Sequence, residues 1–221
     1  MDANYNLSGL TDRIKARLKD AAYSDSDIAQ FINDAYFEIL GDTAYQFLEK
    51  HYRATTQDGG PLLLPPDYQT LIHFTAKLDK TKYPLIYSPS REFFDNRLEA
   101  SPNYYRYTIF GNELFYSVPD IAGDRDEDGD SKFYTLDLFY LAKPIKLVND
   151  TDKPVIPYEY GEALVLGALA RAEQLRDNFD YAQIYENKQD EILTSMKERY
   201  CPRQLEGENR ANLPVFVKTR Y

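Results

Sequence analysis

Residues 24–39 read SDSDIAQFINDAYFEI. Ile28, Phe31, Ile32, Ala35, Tyr36 and Ile39 recur at three- and four-residue steps, which places them on one side of an α-helix. Ser24 and Asp27 form a capping box at its start, a hydroxyl and a carboxylate three residues apart. Gly41-Asp42 ends the helix or kinks it ahead of residues 44–50. Upstream, Leu10, Ile14, Leu18 and Ala21 make the apolar stripe of a first helix over about residues 8–20. Tyr23-Ser24 separates the two, and helices joined this tightly are expected to pack as an antiparallel hairpin.

Downstream the period changes to two. Residues 71–78 alternate and would place Ile72, Phe74, Ala76 and Leu78 on one face of a strand. Gly111-Asn112, flanked by 104–110 and 113–118, is a two-residue hairpin signal. In 133–142, Leu136, Leu138 and Tyr140 oppose Thr135 and Asp137. A short helix is expected over residues 90–98. Together these predict one small, mostly antiparallel sheet, closed off by Pro154 and Pro157.

Helical spacing returns after Pro157. Ala163, Leu164, Gly167, Ala168, Arg171 and Leu175 mark a helix over about 158–176, its small residues permitting close approach of a neighbour. Ala182, Tyr185, Ile192, Met196 and Tyr200 mark a last helix over 179–200, stopped by Pro202. Amphipathic helix pairs at both ends need partners for their apolar faces. The expected fold class is therefore α+β: a four-helix bundle from the N- and C-terminal helix pairs, with an inserted, mostly antiparallel β-rich lobe. The divisions are 1–50 for the N-terminal helical hairpin, 51–150 for the β-rich lobe, 151–202 for the C-terminal hairpin and 203–221 for an extended C-terminal arm. In that arm Leu213, Pro214, Val215, Phe216 and Val217 are apolar and extended in character, since Pro214 blocks a helix and valine favours strands. They suit docking on a partner, with a tail folded back on its own bundle as the alternative.

Thirty-six acids against 26 bases give a net charge of -10, the opposite of what binding to nucleic-acid phosphates requires. The 20 Tyr, 12 Phe and absent Trp suit half-buried strands and subunit contacts, or equally a tyrosine-rich core. Cys201 is the single cysteine, so an internal disulfide is excluded and a reducing compartment is expected. No run of about 18 apolar residues predicts a membrane span, and the N-terminus lacks a secretory pattern, so synthesis in the cytoplasm is expected. His51 and His73 are the only histidines, no glycine-rich phosphate loop occurs, and no Ser–His–Asp set suggests itself. No catalytic residue and no cofactor are expected, and the chain is read as a protein other than an enzyme.

One segment has the pattern of a cation loop. Asp124, Asp126, Asp128 and Asp130 supply oxygens at alternating positions, with Gly129 at the sixth. The twelfth position is Thr135 rather than a bidentate Glu, and strands are expected on both sides. An exposed acidic strand connection is the preferred reading. Calcium binding by these four aspartates is the alternative, in which the chain would be a calcium-stabilised ligand-binding module with a Tyr-rich sheet.

The order of features resembles the head–tail connector or adaptor proteins of tailed bacteriophages. The residues that carry the resemblance are Tyr23 to Tyr36 with Asn33 and Ala35, Leu64-Pro65-Pro66-Asp67-Tyr68, the Tyr107 to Pro119 hairpin, Leu136 to Pro144, Pro154-Val155-Ile156-Pro157, and Ala168, Ala172, Asp180, Ala182 and Tyr185. The resemblance implies a subunit that assembles with itself as a closed ring, commonly of about twelve copies. It implies docking to a portal protein on one side and a tail or nozzle protein on the other, at the neck of the virion. Genome DNA would pass through without specific binding, and no membrane is involved.

Overall fold

The computed structural model describes residues 5–18, 23–41, 43–56, 61–78, 81–95, 105–117 and 134–201. In chain order the elements are α1 (Leu7–Leu18), α2 (Asp25–Gly41), β1 (Glu49–Thr56), β2 (Leu62–Leu63), β3 (Tyr68–Leu78), β4 (Thr81–Pro84) and β5 (Ile86–Tyr87). Then follow α3 (Ser90–Asp95), β6 (Arg106–Phe110), β7 (Glu113–Ser117), β8 (Tyr134–Ala142), α4 (Gly161–Gln174) and α5 (Phe179–Tyr200). Short 3-10 turns precede β1 and α4, at Gln46–Leu48 and Tyr158–Tyr160. The fold is α+β, with terminal helices flanking a central β-rich region. Its described residues divide into two compact units, one running to Glu49 and resuming at Ala142, the other spanning Lys50–Leu141.

In the helical unit α4 packs against α1, α2 and α5. Ten of its 14 residues are buried, which is why the run from Ala163 to Ala170 is wholly apolar or small rather than striped. Gly167 is the tightest point. A Cβ there would come within 2.4 Å of Gln189 Nε2 and 2.9 Å of Ala35 Cβ, so glycine lets α2 and α5 both close on α4. α5 in turn buries only Ala182, Gln189 and Met196, a narrow stripe at seven-residue steps. Gln189 was not anticipated in that stripe; its amide donates to the Ala163 carbonyl at 3.1 Å, so a polar side chain is satisfied inside the bundle.

The helix starts follow their caps. Ser24 N donates to Asp27 Oδ2 at 2.9 Å and Asp27 N to Ser24 Oγ at 3.3 Å, the reciprocal pair expected of a capping box. α1 begins at Leu7, one residue ahead of the start that the apolar pattern suggests, and is capped by Asn6 Oδ1, which accepts from Gly9 N at 2.9 Å. Tyr23, in the break between the helices, donates its hydroxyl to the Ala172 carbonyl at 2.8 Å and takes the Arg176 guanidinium over its ring.

The β-rich unit holds two four-stranded sheets where a single sheet was expected, in orders β1-β8-β3-β4 and β2-β7-β6-β5. Their inner faces share one core of Leu64, Leu71, Phe74, Ala76, Leu85, Leu114, Tyr116, Leu136 and Leu138. Alternation within each strand is satisfied by either arrangement, so only the partner choice separates them. The β2–β7, β3–β4 and β6–β7 pairs are antiparallel, while β5 runs parallel to β6. Gly111 turns β6 into β7 with a φ of +65°, the left-handed conformation that glycine adopts without steric cost. In β3 the expected face is corrected at its start: Leu71 is buried and Ile72 is 46% exposed. β4 pairs with β3 only from Thr75 to Leu78, so the first half of β3 lies outside that pairing.

Candidate interaction surfaces

The chain's two histidines lie on the outer face of the first sheet, away from Leu136 and Leu138. The His51 ring stacks on Phe139 with centroids 4.6 Å apart, and His73 approaches the same ring at 6.4 Å. His51 Nε2 lies 2.8 Å from Asp137 Oδ1, which also accepts from Arg53 Nε at 2.7 Å. The Arg53 hydrogen bond, helped by His51, holds the Asp137 carboxyl below the ordinary carboxylate range despite partial burial. A depressed carboxyl contributes stability that is present above its ordinary pKa and is lost as pH falls through the folded value. In acid-limb denaturation, Asp137→Asn should therefore destabilise the protein at neutral pH, and the difference from wild type should shrink to nothing once pH falls below both values. A pH-independent gap would show that the carboxylate charge is not the cause. Among the described residues, no three His, Cys, Asp or Glu side chains gather as a metal site.

A second set of polar residues fastens segments together. Asn33 on α2 is buried and fully used: its Oδ1 accepts from Leu147 N at 2.8 Å, and its Nδ2 donates to the carbonyls of Leu147 and Ala29 at 3.0 and 2.8 Å. The extended run after β8 is thus held by both backbone groups of one residue. Further along, Val155 N donates to the Tyr36 hydroxyl, and the Tyr5 hydroxyl donates to Ile156 O at 2.8 Å. Leu7 N and Ser8 N, two of the donors left open at the start of α1, bond to the carbonyls of Asp152 and Asp150. In the β-rich unit Asp67 accepts from Lys50 Nζ at 2.5 Å and from the Tyr140 hydroxyl at 2.9 Å. Burial alone would raise its pKa, but these two donors outweigh that and lower it.

At the end of α5 an aromatic cluster gathers. Phe47 stacks on Tyr45 and meets Tyr200 edge-on, and Tyr200 also meets Tyr160. The Tyr200 hydroxyl donates to Glu159 Oε1 at 3.0 Å, with Arg199 Nη1 3.3 Å from the same oxygen. These contacts fix the last turn of α5 against Glu159, Tyr160 and Phe47. The arm residues Leu213, Pro214, Val215, Phe216 and Val217 lie outside the described residues. So do the acidic-loop residues Asp124, Asp126, Asp128 and Asp130.

The polar and aromatic side chains described above thus tie helices, strands and connecting segments into place within a helical unit and a β-rich unit. The chain belongs to the SU10 adaptor protein family, whose pattern matches residues 5–214. Comparison with curated proteins finds no match. Among the described residues, no helix is long and apolar enough to cross a membrane.

Proposed function

We propose that this adaptor-family chain is a subunit of the head–tail adaptor ring of a tailed bacteriophage. In this reading copies of the chain close into a ring of about twelve, dock under the portal protein, join it to a tail or nozzle protein, and line the channel for the genome. The observation that carries the reading is the family match over residues 5–214, together with the phage-connector order of motifs within that span. The net charge of -10 suits a channel wall that DNA slides past without adhering. The protein would be made in the host bacterial cytoplasm and reside at the neck of the virion. The arm at 213–217 would dock on a neighbouring component: burying Val215, Phe216 and Val217 is worth about 1.5–3 kcal/mol each before ordering costs.

Light scattering on size-separated protein, alone and mixed with portal, tests this directly. A closed oligomer bound to portal is expected, and truncation after Gly207 should weaken that complex while leaving the helical circular-dichroism signal unchanged. A chain that stays monomeric and ignores portal would sink the ring reading. An undiminished complex after truncation would remove the arm from it.

A further inference from the structure

Two faces of the molecule carry opposite charge around an exposed phenylalanine. α2 contains Asp25, Asp27, Asp34 and Glu38 and no base in its 17 residues. Asp27, Gln30, Asp34, Phe37, Glu38 and Gly41 are all exposed, and their three- and four-residue spacing puts them on one side of the helix. Asp25 is paired with Lys15 and Glu38 with Arg171, and Asp27 is bonded to Ser24. Asp34 has no ion-pair partner among the described residues. Phe37 is 37% exposed in the middle of this acidic face.

The outer face of the first sheet is the complement. Because Phe74 and Ala76 point into the core and Ala76 pairs with Tyr83, the next pair, Lys77 and Lys82, projects outward. His73 on β3 and Arg53 and His51 on β1 share this face with Phe139, which is 42% exposed. Among the described residues its acids are Asp137, already shared by Arg53 and His51, and Glu49 at the first position of β1. Lys77 and Lys82 stand directly opposite each other with no acid in ion-pair reach among the described residues. Like charges facing across a strand pair are unfavourable, a cost that an anionic partner would relieve.

We infer that these faces are the two halves of one interface, the cationic face with Phe139 of one copy docking on the acidic face with Phe37 of the next. The inference rests on the ring reading and gives it a specific contact. An interface of two different patches is heterologous, the kind that closes a ring when each copy offers both. Charge complementarity would set the orientation of the encounter, and the two aromatic side chains would supply its apolar centre.

Charge reversal at side chains that have no ion-pair partner among the described residues tests it without disturbing a fastening seen there. Lys77→Glu/Lys82→Glu reverses the sheet face, and Gln30→Lys/Asp34→Lys reverses the helix face. Each variant should fold as wild type by circular dichroism, yet need roughly tenfold or more higher concentration to associate, alone or with portal. Mixing the two should restore association, because each then meets an opposite face on its neighbour. Unimpaired association of either variant, or a mixture that stays dissociated, overturns the contact while leaving the ring intact. Wild type that never associates overturns both. If the sheet variant associates normally but loses weak retention on duplex DNA, the partner of that face is phosphate and the inference also fails.

Discussion

Phe74→Ala should lower the stability of the β-rich unit by about 3–5 kcal/mol. Phe74 is 1% exposed and sits where the inner faces of the two sheets meet, edge-on to Tyr107 at 5.5 Å and to Tyr116 at 6.2 Å. Truncation removes a ring that both sheets pack against, and neither sheet can collapse into the space without giving up its own strand pairing. Phe74→Leu should cost less, because it fills most of the volume and forfeits mainly the edge-to-face contacts, worth about 0.5–1.5 kcal/mol per pair. Denaturant unfolding followed by near-ultraviolet circular dichroism of the tyrosines reads both variants. Equal losses for Ala and Leu would mean that aromatic geometry, not the cavity, governs the site. A loss under about 1 kcal/mol for Ala would mean the sheets do not depend on this residue to stay together.

The helices were legible because their signal is local. The 3.6-residue period of residues 28–39, the Ser24–Asp27 box and the stop at Pro202 each involve residues within a turn or two, and α2 and α5 lie where those signals put them. The strands were legible for the same reason wherever a turn fixed the register, as at Gly111-Asn112. Partner choice among strands was not. Nothing in the alternation of 71–78 or 134–142 says whether β8 pairs with β7, its neighbour in sequence, or crosses to lie between β1 and β3 as it does. Ile72 departs from the expected face because Ile72 and His73 are both exposed between buried Leu71 and Phe74, so the alternation slips by one residue, which a strict period of two does not reveal. The polar fastenings were invisible in a stronger sense. Asp137 looked like the solvent side of a strand, and only the folded chain brings His51 and Arg53 to it from 86 and 84 residues away. Asn33 carried a family resemblance without a physical role until Leu147, 114 residues later, was placed against it.

Asn33→Leu is therefore expected to be among the most damaging single changes in the helical unit. The substitution keeps the volume and adds apolar surface, so a reading based on hydrophobicity alone would call it harmless or favourable. Its cost comes from the partner. Leu147 is 4% exposed, and both its N–H and its carbonyl bond to the Asn33 side chain. Leucine leaves the two groups buried without partners, at about 1–3 kcal/mol each, for a total of roughly 2–6 kcal/mol. Asn33→Asp separates the two halves of the clamp. A carboxylate still accepts from Leu147 N, but it cannot donate to Leu147 O and would set negative charge against that carbonyl. Asp should thus be destabilising at neutral pH and recover partly in acid, where a protonated carboxyl regains a donor; the leucine variant should show no such recovery. Hydrogen exchange at the Leu147 amide gives a local readout. Protection should collapse in Asn33→Leu and persist in part in Asn33→Asp at low pH. Wild-type protection of that amide in the leucine variant would show that Leu147 is held by packing and not by the asparagine.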